Sequence, residues 1–157
     1  MKPRFPTILC TGLLAASAVV AQQAAPAAAE AHAGFIKAAR GEVRVLSAGG
    51  ASRNAQPGDR ISPIDRISTG ADGAASLVLR DGTTLVLGPD SRVDLKQFHF
   101  DATTQEGGLL VSLLRGSLRM VTGLIGKTQP DAVRVETQTA TIGIRGTDFI
   151  VISDAQP

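Results

Sequence analysis

The chain has no tryptophan and no tyrosine, and aromatic residues fill only 3% of its 157 positions. Sugar sites commonly use such rings as flat platforms, so their scarcity weighs against a glycan site. There is one cysteine, Cys10, and it falls inside an apolar leader. Once the leader is removed, disulfides, thiolate metal sites and thiol catalysis are all excluded, and the domain is held by its core alone. The two histidines, His32 and His99, stand far apart, and neither has the companions a zinc site requires. Also missing is any D-x-[DN]-x-[DN]-G loop for calcium. No stretch after the leader shows 3.6-residue apolar periodicity, so long helices are not expected.

The leader itself is well formed. Lys2 and Arg4 make a short basic start, Ile8 to Val20 is apolar, and Val19-Val20-Ala21 offers small residues for cleavage before Gln22. That pattern marks residues 1–21 as a signal peptide, and the apolar run is short for a membrane span. The expected location is therefore periplasmic or secreted, with no stable membrane span after leader removal. Cleavage takes Lys2 and Arg4 from the 16 basic residues and leaves 14 against 14 acidic ones. A near-neutral mature chain lacks the field that nucleic acid binding needs. Residues 22–36 are rich in Ala, Gln and Pro and are read as a flexible linker, with the β domain occupying 37–157.

Beyond the linker, period-2 alternation dominates. Val43 and Val45 alternate with Glu42 and Arg44 in what reads as the first strand. Ala75–Arg80 and Thr83–Leu87 flank Asp81-Gly82, which predicts a hairpin with a type I′ turn. Val93 and Leu95 begin another strand, and Phe98-His99-Phe100 continues the alternation with His99 facing outward. Leu109–Leu114 reads as a strand covered on both faces, bounded by Gly116. Gly123–Asp131 reads as a loop. Two Asp-Arg-Ile-Ser segments, Asp59–Ser62 and Asp65–Ser68, form a short tandem repeat. Asp59, Asp65, Asp72, Asp81, Asp90 and Asp101 are placed in turns, where the carboxylate serves nearby backbone N–H groups. About ten short strands at this spacing predict an all-β sandwich or barrel.

No catalytic constellation emerges. A triad assembled from His99, Asp94 and some Ser lacks a nucleophile elbow, so the protein is read as not an enzyme, with no cofactor, catalytic residue or metal site. The densest cluster of unusual residues is Gly143-Ile144-Arg145-Gly146-Thr147, a break between two β-type runs. An anion-binding nest with Arg145 as clamp is one reading. The favoured reading is structural: Arg145 ties down carbonyls or a carboxylate of an adjacent strand, Gly143 and Gly146 permit close backbone approach, and Thr147 restarts the ladder. Arg44, Arg119 and Arg134 are the exposed candidates for partner contact.

In order and spacing, several segments resemble the FecR domain: Gly41-Glu42-Val43, Pro57-Gly58-Asp59, Ile67-Ser68-Thr69-Gly70, Leu77–Thr83, Gly88-Pro89-Asp90-Ser91, Leu114–Arg119, Val135-Glu136-Thr137 and Ala140–Phe149. The resemblance implies a jelly-roll-like β-sandwich. In FecR regulators this domain lies in the periplasm and relays a signal from an outer-membrane receptor, through one membrane helix, to a cytoplasmic domain that controls a sigma factor. Here a signal-like leader stands where those parts would be, so direct sigma-factor control is not carried over. The domain is read as minimal or truncated after Pro157. The expected function is that of a non-catalytic exported module that binds an envelope protein or another envelope component. The alternatives are a carbohydrate- or peptidoglycan-binding sandwich, or a signal-relay part of a sigma-factor and TonB-receptor system.

Overall fold

The computed structural model describes residues 32–154. The expected signal peptide and the expected linker up to residue 31 lie outside the described residues. Twelve strands run through the described part: β1 (Gly34–Arg40), β2 (Val43–Leu46), β3 (Ser52–Asn54), β4 (Arg60–Ile61), β5 (Arg66–Thr69), β6 (Ala74–Leu79), β7 (Thr84–Leu87), β8 (Arg92–Phe100), β9 (Gly107–Val121), β10 (Val133–Glu136), β11 (Thr141–Gly143) and β12 (Asp148–Ser153). The chain is all-β, as expected, with more strands than the ten anticipated and two of them long.

The first correction is at the N-terminal boundary. Ala33 and Ile36 are fully buried, and the Ala33 N–H donates to the Ile61 carbonyl. Residues 34–36 therefore belong to the sheet, not to the linker, and β2 is the second strand. Alternation is hard to read there because Ile36 is the lone large inward side chain and the register shifts between Ile36 and Ala38.

One strand organises the rest. β9 is 15 residues long, and its two halves belong to two layers. Its first half pairs with β8 on one side and, in parallel, with β10 on the other; its second half pairs with β7 and β12. One layer therefore runs β4-β1-β6-β7-β9-β12, and the other β3-β2-β5-β8-β9-β10-β11. The sandwich is a single sheet curled over one core, to which both layers contribute, among others, Ile36, Leu77, Leu85 and Met120 from the first and Val45, Ile67, Leu95 and Val111 from the second.

The fold-over point is Gly116, where Leu109–Leu114 and Leu118–Met120, two separate runs by their apolar pattern, prove continuous. Its φ of +90° lies in the left-handed region, and a Cβ there would sit 2.5 Å from the Ser91 Cα and closer still to its hydroxyl. Only glycine allows both the backbone angle and the approach. The opposing bend lies at Gly88–Ser91, between β7 and β8. Ser91 Oγ accepts from the Ser117 N–H at 3.0 Å, and Thr69 Oγ1 donates to the Gly88 carbonyl at 2.7 Å while accepting from the Ser91 N–H at 2.9 Å. Three of the segments that carry the family resemblance thus meet at one buried corner. Replacing Thr69 with Val should remove both bonds and strand the Ser91 N–H. The expected cost is about 1–3 kcal/mol, read as a lowered urea midpoint at unchanged slope.

The β6–β7 hairpin forms where predicted, with a different turn. Only Gly82 has positive φ (+85°); Asp81 does not. The Leu79 carbonyl accepts from the Gly82 N–H at 3.0 Å, and Leu79 donates to the Thr83 carbonyl at 2.9 Å. This is a three-residue loop closed by a left-handed glycine, a common alternative to type I′. Asp81 selects it, because its buried carboxylate accepts from both the N–H and the hydroxyl of Thr83. The loop then docks on the segment predicted as a loop, Gly123–Asp131: the Gly123 N–H donates to Thr83 Oγ1, and Leu124 N–H to the Asp81 carbonyl. That segment contains one helical turn, α1 (Leu124–Thr128), and a 3-10 turn at Pro130–Ala132. Ile125 anchors it in the core, and five residues are too few for a periodicity signal.

The tandem repeat is two copies of one turn. Asp59 and Asp65 each accept from the backbone N–H three residues back, that of Gln56 and of Ser62, and each turn delivers a buried isoleucine, Ile61 or Ile67. The copies enter different layers, β4 in one and β5 in the other.

Candidate functional site

The break at Gly143–Thr147 carries the chain from β11, at the border of one layer, to β12, at the border of the other. Ile144 is buried and pins the crossing to the core. The carbonyls of Gly146 and Thr147 are held by Thr122, which donates its hydroxyl to the first at 3.2 Å and its N–H to the second at 2.9 Å. Arg145 does not do this. Its side chain is 84% exposed, and its nearest carboxylate oxygen is Asp131 Oδ1 at 3.9 Å, itself 87% exposed. A Cβ at Gly143 or Gly146 would meet no atom within 4 Å. The structural roles assigned to Arg145, Gly143 and Gly146 are therefore corrected: the hydroxyl of Thr122 anchors the turn, and the guanidinium points into solvent. Thr147 does precede the restarted ladder, which begins at Asp148. Since an exposed pair at this distance contributes little, Arg145→Ala should change stability by less than about 0.5 kcal/mol, measured by thermal melting.

The three arginines expected at a partner contact do not form one patch. Arg119 is on the outer face of the β7–β9–β12 layer, where its Nε and Nη2 reach both carboxylate oxygens of Asp148 at 2.9 and 2.6 Å. That hydrogen-bonded pairing holds the Asp148 carboxyl below the usual carboxylate range. Arg44 and Arg134 are on the other layer, on β2 and β10, with three strands between them. Arg44 binds Glu42 at 2.8 Å. Among the described residues no carboxylate lies within ion-pair distance of Arg134. It lines a surface cleft of about 250 Å³ with Gln97, His99, Asp131 and Glu136 around a floor that includes Gly107 and Gly108. His99 is exposed, as expected, with its ring over Gly108 and Nδ1 3.4 Å from Gln97 Nε2.

The most buried ion pair among the described residues has no signal in the sequence. Asp94 is nearly buried, and Arg66 grips it through two bonds, Nη2 to Oδ2 at 2.7 Å and Nε to Oδ1 at 2.5 Å. Lys96 stands 3.7 Å away. The Arg66 bond depresses the Asp94 carboxyl, burial opposes that shift, and Lys96 adds a smaller push the same way. A carboxylate so engaged is not free to orient a catalytic histidine. Asp101 is likewise depressed, by the backbone N–H groups of Thr104 and Thr103. A folded-state value below the unfolded one, about 3.9 for Asp, gives stability that is present above that pH and lost as pH falls through the folded value. Stability should therefore be flat from about pH 7 to 5 and decline below about pH 4. In Asp94→Asn the acid limb should be shallower, as read from urea midpoints across that range.

Among the described residues no group of three His, Cys, Asp or Glu is placed to hold a metal ion, no buried side-chain polar atom lacks a partner, and no helix is long and apolar enough to cross a membrane. The border strand β12 is the most conspicuous surface feature. Ile150 and Ile152 are 65% and 70% exposed, and among the described residues only β9 pairs with this strand.

A family model described as FecR protein matches residues 65–157. Among solved structures, one described as "Cell surface anchoring domain" is 36% identical in sequence, covering 40% of this chain and 83% of that one, with a TM-score of 0.39. No curated protein matches the sequence.

Proposed function

The chain belongs to the FecR family, and from that premise we propose that it is an exported, non-catalytic module that binds a protein partner in the cell envelope. The observation that carries this reading is the border at β12. There a strand edge unpaired among the described residues, two exposed isoleucines and the solvent-exposed guanidinium of Arg145 lie on one continuous stretch of chain. A free edge accepts an added strand through main-chain hydrogen bonds, and alternate apolar side chains give the selectivity. Arg145 beside it supplies a charged contact, arginine being enriched in interfaces and among their hot spots. An Arg145→Ala variant that melts like wild type but loses at least tenfold in partner affinity supports the reading. Recovery of polysaccharide alone from an envelope extract contradicts it.

A glycan-binding role is the second reading, and the polar cleft around Arg134 is the observation that favours it. Its lining offers both donors and acceptors to hydroxyl-rich ligands, though no Trp or Tyr is present to stack on a sugar face. Sedimentation with purified peptidoglycan, compared between wild type and Arg134→Ala, tests it. Relay of a signal through a separately encoded partner is compatible with the β12 border and would need a receptor and sigma factor acting together with this chain.

A further inference from the structure

On the outer face of the second layer, one cross-strand row reads Arg44, Ser68, Arg92, Arg115. Arg44 is opposite Ser68, Ser68 opposite Arg92, and Arg92 opposite Arg115. Like charges placed directly opposite each other destabilise a sheet, so the Arg92–Arg115 pair works against the fold. The opposition is only partly neutralised in place. Arg44 is paired with Glu42, and Arg115 has only Asp90 Oδ1 at 3.7 Å, with its Nε on the Asp90 carbonyl at 2.9 Å. Among the described residues Arg92 has no carboxylate within ion-pair distance. The three guanidiniums line one cleft of about 260 Å³, with Ser68, Ser91 and the Arg44-bound carboxylate of Glu42 also on its wall.

We propose that this row is an oxyanion site that takes a phosphoryl group. Guanidinium groups bind phosphate oxygens through paired, charge-assisted hydrogen bonds, and three of them line this cleft with the Ser68 hydroxyl beside them. A local cost at an exposed cluster whose central arginine has no carboxylate partner among the described residues is the signature of a site kept for binding. Arg92 is the central member, and Arg44 and Arg115 flank it. The row's chemistry is independent of the β12 border, which lies on the other layer. A phosphoryl group can arrive free in solution or on a phospholipid headgroup, and the row recognises the shared oxygens.

The test uses the purified protein, inorganic phosphate, and vesicles of phosphatidylcholine with or without phosphatidylglycerol. Phosphate should raise the melting temperature and move the amide resonances of Ser68, Arg92 and Arg115. Arg92→Gln should weaken phosphate binding by about tenfold or more. In the absence of phosphate it should melt no lower than wild type, because it relieves the opposition to Arg115. Lys127→Gln carries the same net charge and should bind phosphate like wild type. Sedimentation with the phosphatidylglycerol vesicles, lost in Arg92→Gln, assigns the headgroup as the source; phosphate binding without sedimentation assigns the free anion. If neither probe binds, or if Arg92→Gln binds phosphate as wild type does, the proposal is overturned.

Discussion

Gly116→Val is expected to remove most of the stability of the folded state. Two effects add at this residue. A β-branched side chain is strongly disfavoured at a φ of +90°, and its Cβ would occupy the space of Ser91. Relief by local movement is blocked, because Ser91 is bonded to Ser117 across the same corner and to Thr69 behind it. Each mechanism alone costs about 1–3 kcal/mol, and together they approach the whole stability of a small domain. The corner is where β9 passes from one layer to the other, so its failure separates the two halves of the core. Far-ultraviolet circular dichroism and chemical denaturation would report this. A cooperative transition within about 1 kcal/mol of wild type would mean that Gly116 is not the hinge of β9.

The second large effect concerns a part of the chain outside the family match. A fragment containing only residues 65–157 is expected not to fold. Ile36, Val43, Val45 and Ile61 are buried at 3% exposure or less and belong to the same core as Leu77, Leu85 and Met120. Removing them uncovers that core, and it also bares the β6 edge that β1 covers and the β5 edge that β2 covers. The finer test is Ile36→Ala in the full chain. Ile36 is fully buried, and truncations of this kind cost about 2–5 kcal/mol. A fragment that unfolds cooperatively by itself, or an Ile36→Ala variant as stable as wild type, would return β1 to the linker.

How much of the fold is legible in the sequence depends on how regular each segment is. The β6–β7 hairpin, the outward-facing His99 and the alternation through Val133–Val135 are readable because inward and outward residues differ sharply in polarity there. β1 is hidden by its alanines and its register shift. Gly116 stands out as punctuation, but a strand end and a strand hinge look alike in one dimension. The Arg66–Asp94 pair is concealed because shifts between Arg92 and Val93 and between Leu95 and Gln97 break the period of β8, so Val93, Asp94 and Leu95 are all buried in succession. Arg145 misleads for a different reason. An arginine beside glycines suggests a tether, yet the tethering is done by Thr122, some twenty residues earlier in the chain. Nothing along the sequence links Thr122 to the break. The arginine row is invisible for the same reason, since residues 44, 68, 92 and 115 meet only through strand register.

Partner binding at β12 is tested most directly by placing a photo-reactive amino acid at Ile150 in cells and irradiating them. Position Arg53, on the opposite border strand β3, serves as the comparison. The predicted result is a discrete protein adduct from position 150, absent from position 53 and diminished when Arg145 is also replaced by Ala. Equal crosslinking from both positions, or an adduct at 150 that contains only polysaccharide, would contradict partner binding at this border.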